Sequence, residues 1–182
     1  MQQRVAAAIL DGAAHLFANG GEQASMNEVA EAAGVARATV YRYFPNREAL
    51  LDELTQTAVS DVNTRLASAR IDEVRPDEGI ARAVRALVDV GNLFVVLTRE
   101  RQRSGSEQFQ RGLVDPLRQL VERGQASGDI RDDITGARLT ESLIGLIVGM
   151  LTSTPPLGRE DMTATITGLF IDGARARGPR RR

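Results

Sequence analysis

The sequence predicts an all-α fold, on three observations. Apolar residues recur at helical spacing along the chain, and no strand-like alternation persists anywhere. Aromatic residues make up only 4% of the 182 residues and Trp is missing, so the core must come mainly from Leu, Ile, Val and Ala, a set that suits helices more than sheets. Glycines and prolines fall between the periodic stretches and divide them into about nine helices.

The first helix is expected over about Gln2–Asn19, with Val5, Ile9, Ala13, Leu16 and Phe17 as its apolar stripe and Gly20-Gly21 as its stop. Ser25-Met26-Asn27-Glu28 fits the S-x-x-E capping box, so a short helix begins there and runs to about Ala33, with Met26, Val29, Ala30 and Ala33 facing inward. Gly34 supplies a tight turn. A second short helix covers about Arg37–Tyr43 and ends before Pro45, because a residue that precedes proline is pushed out of the helical region. Asn46 can cap a long helix over about Arg47–Ala69, striped by Leu50, Leu51, Leu54, Ala58, Val62 and Leu66.

Arg75-Pro76-Asp77 breaks the pattern, which resumes over about Asp77–Arg101 with Gly91 as a bend or a division. Arg103-Ser104-Gly105 reads as a loop. A helix around Ser106–Gln125 contains Pro116, which either kinks it or starts it anew. Gly128-Asp129 is a turn. Helices over about Thr135–Ser153 and Arg159–Ala176 follow, separated by Thr154-Pro155-Pro156, and the last eight residues, with five Arg and no acid, read as a frayed tail. The organisation is a three-helix head, 1–45, and a helical body, 46–182, without an internal repeat.

Composition excludes several classes. With 42% apolar and 26% charged residues the chain is globular. It contains no Cys and one His, His15, which rules out disulfides, thiolate metal sites and multi-histidine catalysis, so no metal and no cofactor is expected. His15 itself reads as a surface or packing residue. There is no glycine-rich nucleotide loop and no nucleophile–base pair, so an enzyme is not expected. Asp132-Asp133 and Glu160-Asp161 are a loop and the charge at a helix start. The longest apolar stretch, about Leu143–Leu151, falls far short of the ~20 residues that span a bilayer, and no signal peptide is visible. No membrane partner and a cytoplasmic location are therefore expected.

Two short helices joined at a glycine turn and preceded by a packing helix form a helix-turn-helix pattern, in which the second helix offers its N-terminal side chains to base edges in the major groove. The charge agrees. All 23 basic residues are Arg and the net charge is −1, yet Ala32–Arg47 carries Arg37, Arg42 and Arg47 with no acid. Thr39, Tyr41 and Tyr43 can donate hydrogen bonds to phosphates, and Val40 and Phe44, at i and i+4, can anchor the helix.

The same stretch, Leu16–Leu51, resembles the TetR family of bacterial repressors. It supplies Leu16-Phe17, Gly21, Ser25, Val29-Ala30, Ala33-Gly34-Val35, Thr39-Val40-Tyr41, Phe44 and Arg47-Glu48-Ala49-Leu50 in the family's register. It departs at Glu22, where an aromatic residue is frequent, at Ala36, where a Ser/Thr cap is frequent, and before Arg4, where only Met1–Gln3 stand in place of a basic arm. The resemblance implies phosphate contacts from Ser25, Thr39, Tyr41, Tyr43 and Arg47, and base-edge contacts from Arg37, Ala38 and Arg42.

It further implies a homodimeric repressor of a double-stranded, palindromic operator, whose body binds a small-molecule effector and dimerises through its last two helices. Leu143, Ile144, Ile147 and Leu151 on one helix and Ile166, Leu169 and Phe170 on the other are the expected dimer contacts, and Gly145 and Gly149 permit close approach. Phe94, Leu97, Phe109, Leu113 and Met150 are the expected pocket lining, and the scarcity of charge in Val84–Leu97 and Leu143–Leu151 points to an apolar effector. The alternative is a helical binding or adaptor protein with a DNA-binding-like head and no ligand-gated repression.

Overall fold

The computed structural model describes residues 2–19, 24–104 and 107–176. Gly20-Gly21, Glu22, Met1, Gly105 and the tail beyond Ala176 lie outside them. Within them are nine helices and no strand. The head holds α1 (Gln2–Ala18), α2 (Met26–Ala32) and α3 (Arg37–Tyr43). The body holds α4 (Arg47–Ala69), α5 (Pro76–Val90), α6 (Asn92–Ser104), α7, α8 (Gly136–Leu151) and α9 (Arg159–Ala174). Helix α7 comprises Glu107–Phe109, a π turn at Gln110–Val114 and Asp115–Ala126.

Local chemistry explains most boundaries. Asn46 Oδ1 accepts from the Ala49 amide at 2.8 Å and starts α4. Arg70, with φ 47°, ends α4 in the left-handed conformation. Pro76 sits in the first turn of α5, where a missing N–H costs nothing. Gly91, with φ 64°, divides α5 from α6. Pro116 does not break α7. The π turn just before it opens the coil at the point where the proline ring would otherwise press on the carbonyl of residue 112, and the Asp115 amide reaches back five residues to the Gln110 carbonyl.

Two apolar cores result. One, in the head, gathers Ile9, Ala13, Phe17, Val29, Val40 and Phe44 with Leu50 and Leu54 of α4 and Val95 and Val96 of α6. The other, in the body, gathers Ala58, Val62 and Leu66 of α4 with residues from α5 through α9, Phe94 and Leu97 of α6 among them. Helix α4 serves both cores in succession along one stripe, while α6 serves both at once from two faces.

Several expectations need correction. Helix α6 continues through Arg103 and Ser104, where a loop was expected, since Arg, Glu and Gln are good helix formers and no breaker precedes Gly105. Arg175 and Ala176 are not frayed: Ile130 and Arg175 form an antiparallel bridge, and the Ala176 amide donates to the Asp129 carbonyl at 3.0 Å. Leu143, Ile144, Ile147, Ile166 and Phe170, expected to face a partner, are buried in the chain's own core, because the same stripes pack against α5, α6 and α7. Of the residues expected there, only Leu151 is half-buried and only Leu169 is exposed, at 58%.

Candidate nucleic-acid interface

The head presents α3 as a short helix held by its back. Ser25 caps α2: its hydroxyl accepts from the Glu28 amide at 3.3 Å, while the Glu28 carboxylate accepts from the Ser25 amide at 2.7 Å and from its hydroxyl at 2.8 Å. Those two bonds, backbone first, hold the Glu28 carboxyl below its ordinary value of 4.5. At the other end Gly34, with φ 64°, completes a Schellman turn: its own amide donates to the Glu31 carbonyl and the Val35 amide to the Ala30 carbonyl. Helix α3 then starts at Ala36 without a side-chain cap.

Buried Val40 and Phe44 fix the rotation of α3 about its axis. That rotation turns Arg37, Ala38, Tyr41 and Arg42 outward and leaves Thr39 and Tyr43 half-buried. The two arginines are not loose. The Arg37 guanidinium lies 5.3 Å over the Tyr41 ring, and that of Arg42 lies 5.4 Å over the Tyr43 ring. The result is a cationic, aromatic-backed surface about two turns long, with donors suited to phosphate oxygens and guanine edges.

Two of the sequence-derived candidates stand differently from the rest. Ser25 is exposed, but its hydroxyl is committed to the capping box. Arg47 is half-buried, with its guanidinium 5.1 Å over the ring of Phe17, so its charge is drawn toward α1. Sequence reasoning missed Arg99 of α6, whose Nη1 donates to the Phe17 carbonyl at 2.6 Å. No local pattern marks it, since the partners meet only through the fold.

The body offers a second kind of site. Phe94, Leu97, Phe109 and Leu113, expected to line a pocket, are packed in the core, and Met150 is half-buried against it. None of the five lines the groove between α4 and α7, whose volume is about 400 Å³. Its floor is Leu66, Ala67, Ile71, Pro116 and Leu120, and its rim carries Asn63, Asp72, Arg111, Gln119 and Arg123. Arg123 donates to the carbonyls of Ile71, Asp72 and Val74, holding the turn after α4 against α7. Among the described residues no group of three or more His, Asp or Glu could hold a metal ion, and no helix is long and apolar enough to cross a membrane.

Comparison with known proteins agrees with this geometry. Residues 9–54 match the model of the bacterial regulatory proteins of the tetR family. The HTH-type transcriptional regulator NfxB of Pseudomonas aeruginosa is 28% identical over 160 residues, covering 84% of this chain and 85% of that protein. The HTH-type transcriptional repressor LfrR of Mycolicibacterium smegmatis is 31% identical over 99 residues, 54% of this chain and 52% of that protein. The structure of LfrR in complex with proflavine superposes with a TM-score of 0.70 at 22% identity, over 96% of this chain and 98% of that one. The structure of AibR in complex with isovaleryl coenzyme A and operator DNA gives a TM-score of 0.68 at 20% identity, over 91% and 97%.

Proposed function

We propose that the chain is a regulator of the tetR family, whose model residues 9–54 match, and that it acts as a homodimeric repressor that reads a palindromic operator and leaves it when a small apolar effector binds the body. The observation that carries this reading is the outward face of α3, Arg37, Ala38, Tyr41 and Arg42, set by the buried Val40 and Phe44. Arg37 and Arg42 face base edges, each able to grip a guanine at about 1–3 kcal/mol of discrimination. Thr39, Tyr41 and Tyr43 face phosphates. Ser25 and Arg47 act one step back, by shaping α2 and the start of α4.

Dimerisation places two such helices in successive major grooves. The surface that supports it lies on α8 and α9, but on the faces opposite the buried stripes. Gly145, Gly149, Thr165, Gly168 and Gly173 are exposed there with Leu169. A Cβ at any of the four glycines would meet no atom within 4 Å, so a partner helix could approach closely.

The groove between α4 and α7 supports the effector. At about 400 Å³ with an apolar floor, it suits one small, largely apolar molecule. A ligand there bears on Asn63, Leu66 and Ala67, at the far end of the helix that begins at Arg47 beside the reading head. Release requires only that the ligand prefer the body conformation in which the heads no longer match the operator. The complexes of LfrR with proflavine and of AibR with isovaleryl coenzyme A and operator DNA are precedents in similar proteins for binding a small molecule, and in AibR for binding operator DNA.

The test is selection of bound duplexes from a random DNA pool, with wild type and Arg42→Ala. Enrichment of a palindrome, relaxed at one base pair per half-site in the variant, is the expected outcome. No enrichment even at low salt, where phosphate contacts are strongest, rejects DNA reading and favours a helical binding protein.

A further inference from the structure

The head and the body meet at Phe17, and the side chains that hold it there come from two elements. Phe17 is in the last turn of α1, where carbonyls have run out of intrahelical donors and a cation is favoured by the helix dipole. Arg99 of α6 meets both needs with its 2.6 Å bond to the Phe17 carbonyl. The ring of the same residue is covered by the Arg47 guanidinium at 5.1 Å, from the first turn of α4, shortly after α3 ends at Tyr43. Beside this junction Val95 and Val96 of α6 are buried in the head's core, and Asn92 Nδ2 approaches His15 Nδ1 at 3.3 Å. Helix α6 is therefore docked on α1 at both its start and its middle, and Arg99 adds a charged hydrogen bond to that apolar packing.

We infer that Arg99 is a positioning residue for DNA reading: by binding the Phe17 carbonyl it holds the head in the one orientation on α6 from which α3 can enter the groove. It touches no DNA itself. The inference rests on the DNA-reading role proposed above. Without the Arg99 bond the head samples other poses, and the measured affinity falls by the fraction of time that the competent pose is lost.

The experiment compares wild type, Arg99→Met, Arg99→Gln and Arg99→Lys on the selected operator as a function of salt, with amide exchange of α1 measured in the same proteins. Arg99→Met should weaken binding by about tenfold, a part of the worth of one partly exposed charged hydrogen bond. The slope of log affinity against log salt should stay unchanged, and the last turn of α1 should exchange faster. Arg99→Lys, which keeps a cationic donor, should recover most of the affinity, and Arg99→Gln should fall between. Binding by Arg99→Met within about twofold of wild type would overturn the inference. So would a salt slope shallower by about one, since Arg99 would then be a phosphate contact. Should Arg99→Met fail to fold, the Gln and Lys variants decide between the same outcomes. If wild type selects no duplex, DNA reading fails by itself, and α1 exchange still reports whether Arg99 holds the head.

Discussion

Gly12 and Gly112 are both crowded, and the neighbours decide what a methyl group would cost. A Cβ on Gly12 would stand 2.9 Å from the Ala33 nitrogen and 3.0 Å from the Ala33 Cα, backbone atoms of the turn in the helix-turn-helix. A Cβ on Gly112 would stand 2.1 Å from Asn63 Oδ1, the end of an exposed side chain that can rotate away. Gly12→Ala should thus cost about 1–3 kcal/mol in denaturant unfolding and weaken operator binding, while Gly112→Ala should cost well under about 1 kcal/mol. Equal losses would mean that the turn yields as easily as a side chain. Glu28 adds a pH dependence. Its carboxyl is held below 4.5 by the Ser25 amide and hydroxyl, so its contribution is fully present above that value and is lost as pH falls below it. Wild type should lose stability more steeply than Glu28→Gln as pH drops through that window, as read by thermal unfolding.

At the scale of elements, the short helices owe their limits to chemistry within a few residues. The capping box, the Schellman turn and the Asn46 cap are each closed by partners three to five residues apart. These were legible from the sequence, and so were the divisions at Gly91 and Pro76. The π turn was not. Pro116 left a kink and a restart equally open, and the structure takes a third course, in which a wider turn admits the proline and the helix carries on. The end of α6 departs from expectation for a related reason. Composition around Arg103 and Ser104 suggested a loop, but neither Gly nor Pro intervenes between Asn92 and Ser104, and the helix carries on.

For the whole molecule, the outcome turns on which faces of α8 and α9 are spent inside the chain. The proposed dimer surface predicts a contrast between neighbouring positions on α8. Gly149→Arg, at an exposed position with open space, should yield a folded monomer in sedimentation, with an unfolding midpoint that no longer depends on protein concentration. Ile147→Arg places a charge where nothing is exposed and should prevent folding altogether. A dimeric Gly149→Arg would move the interface to another face. Periodicity alone could not have made this distinction. The stripes Leu143–Ile147 and Ile166–Phe170 announce that those faces avoid water, which holds equally for a core and for a partner helix. Likewise the apolar residues around Phe94 and Leu113 are the same whether they line a cavity or fill one. Hydrogen bonds and side-chain periodicity over a few residues set most helix limits, their caps and the exposed basic face of α3, and these can be read along the chain. The sharing of α6 between two cores, the reach of Arg99 to Phe17 and the open groove between α4 and α7 cannot be read that way. Those follow from long-range packing, in which each apolar face takes whichever neighbour the whole fold brings to it.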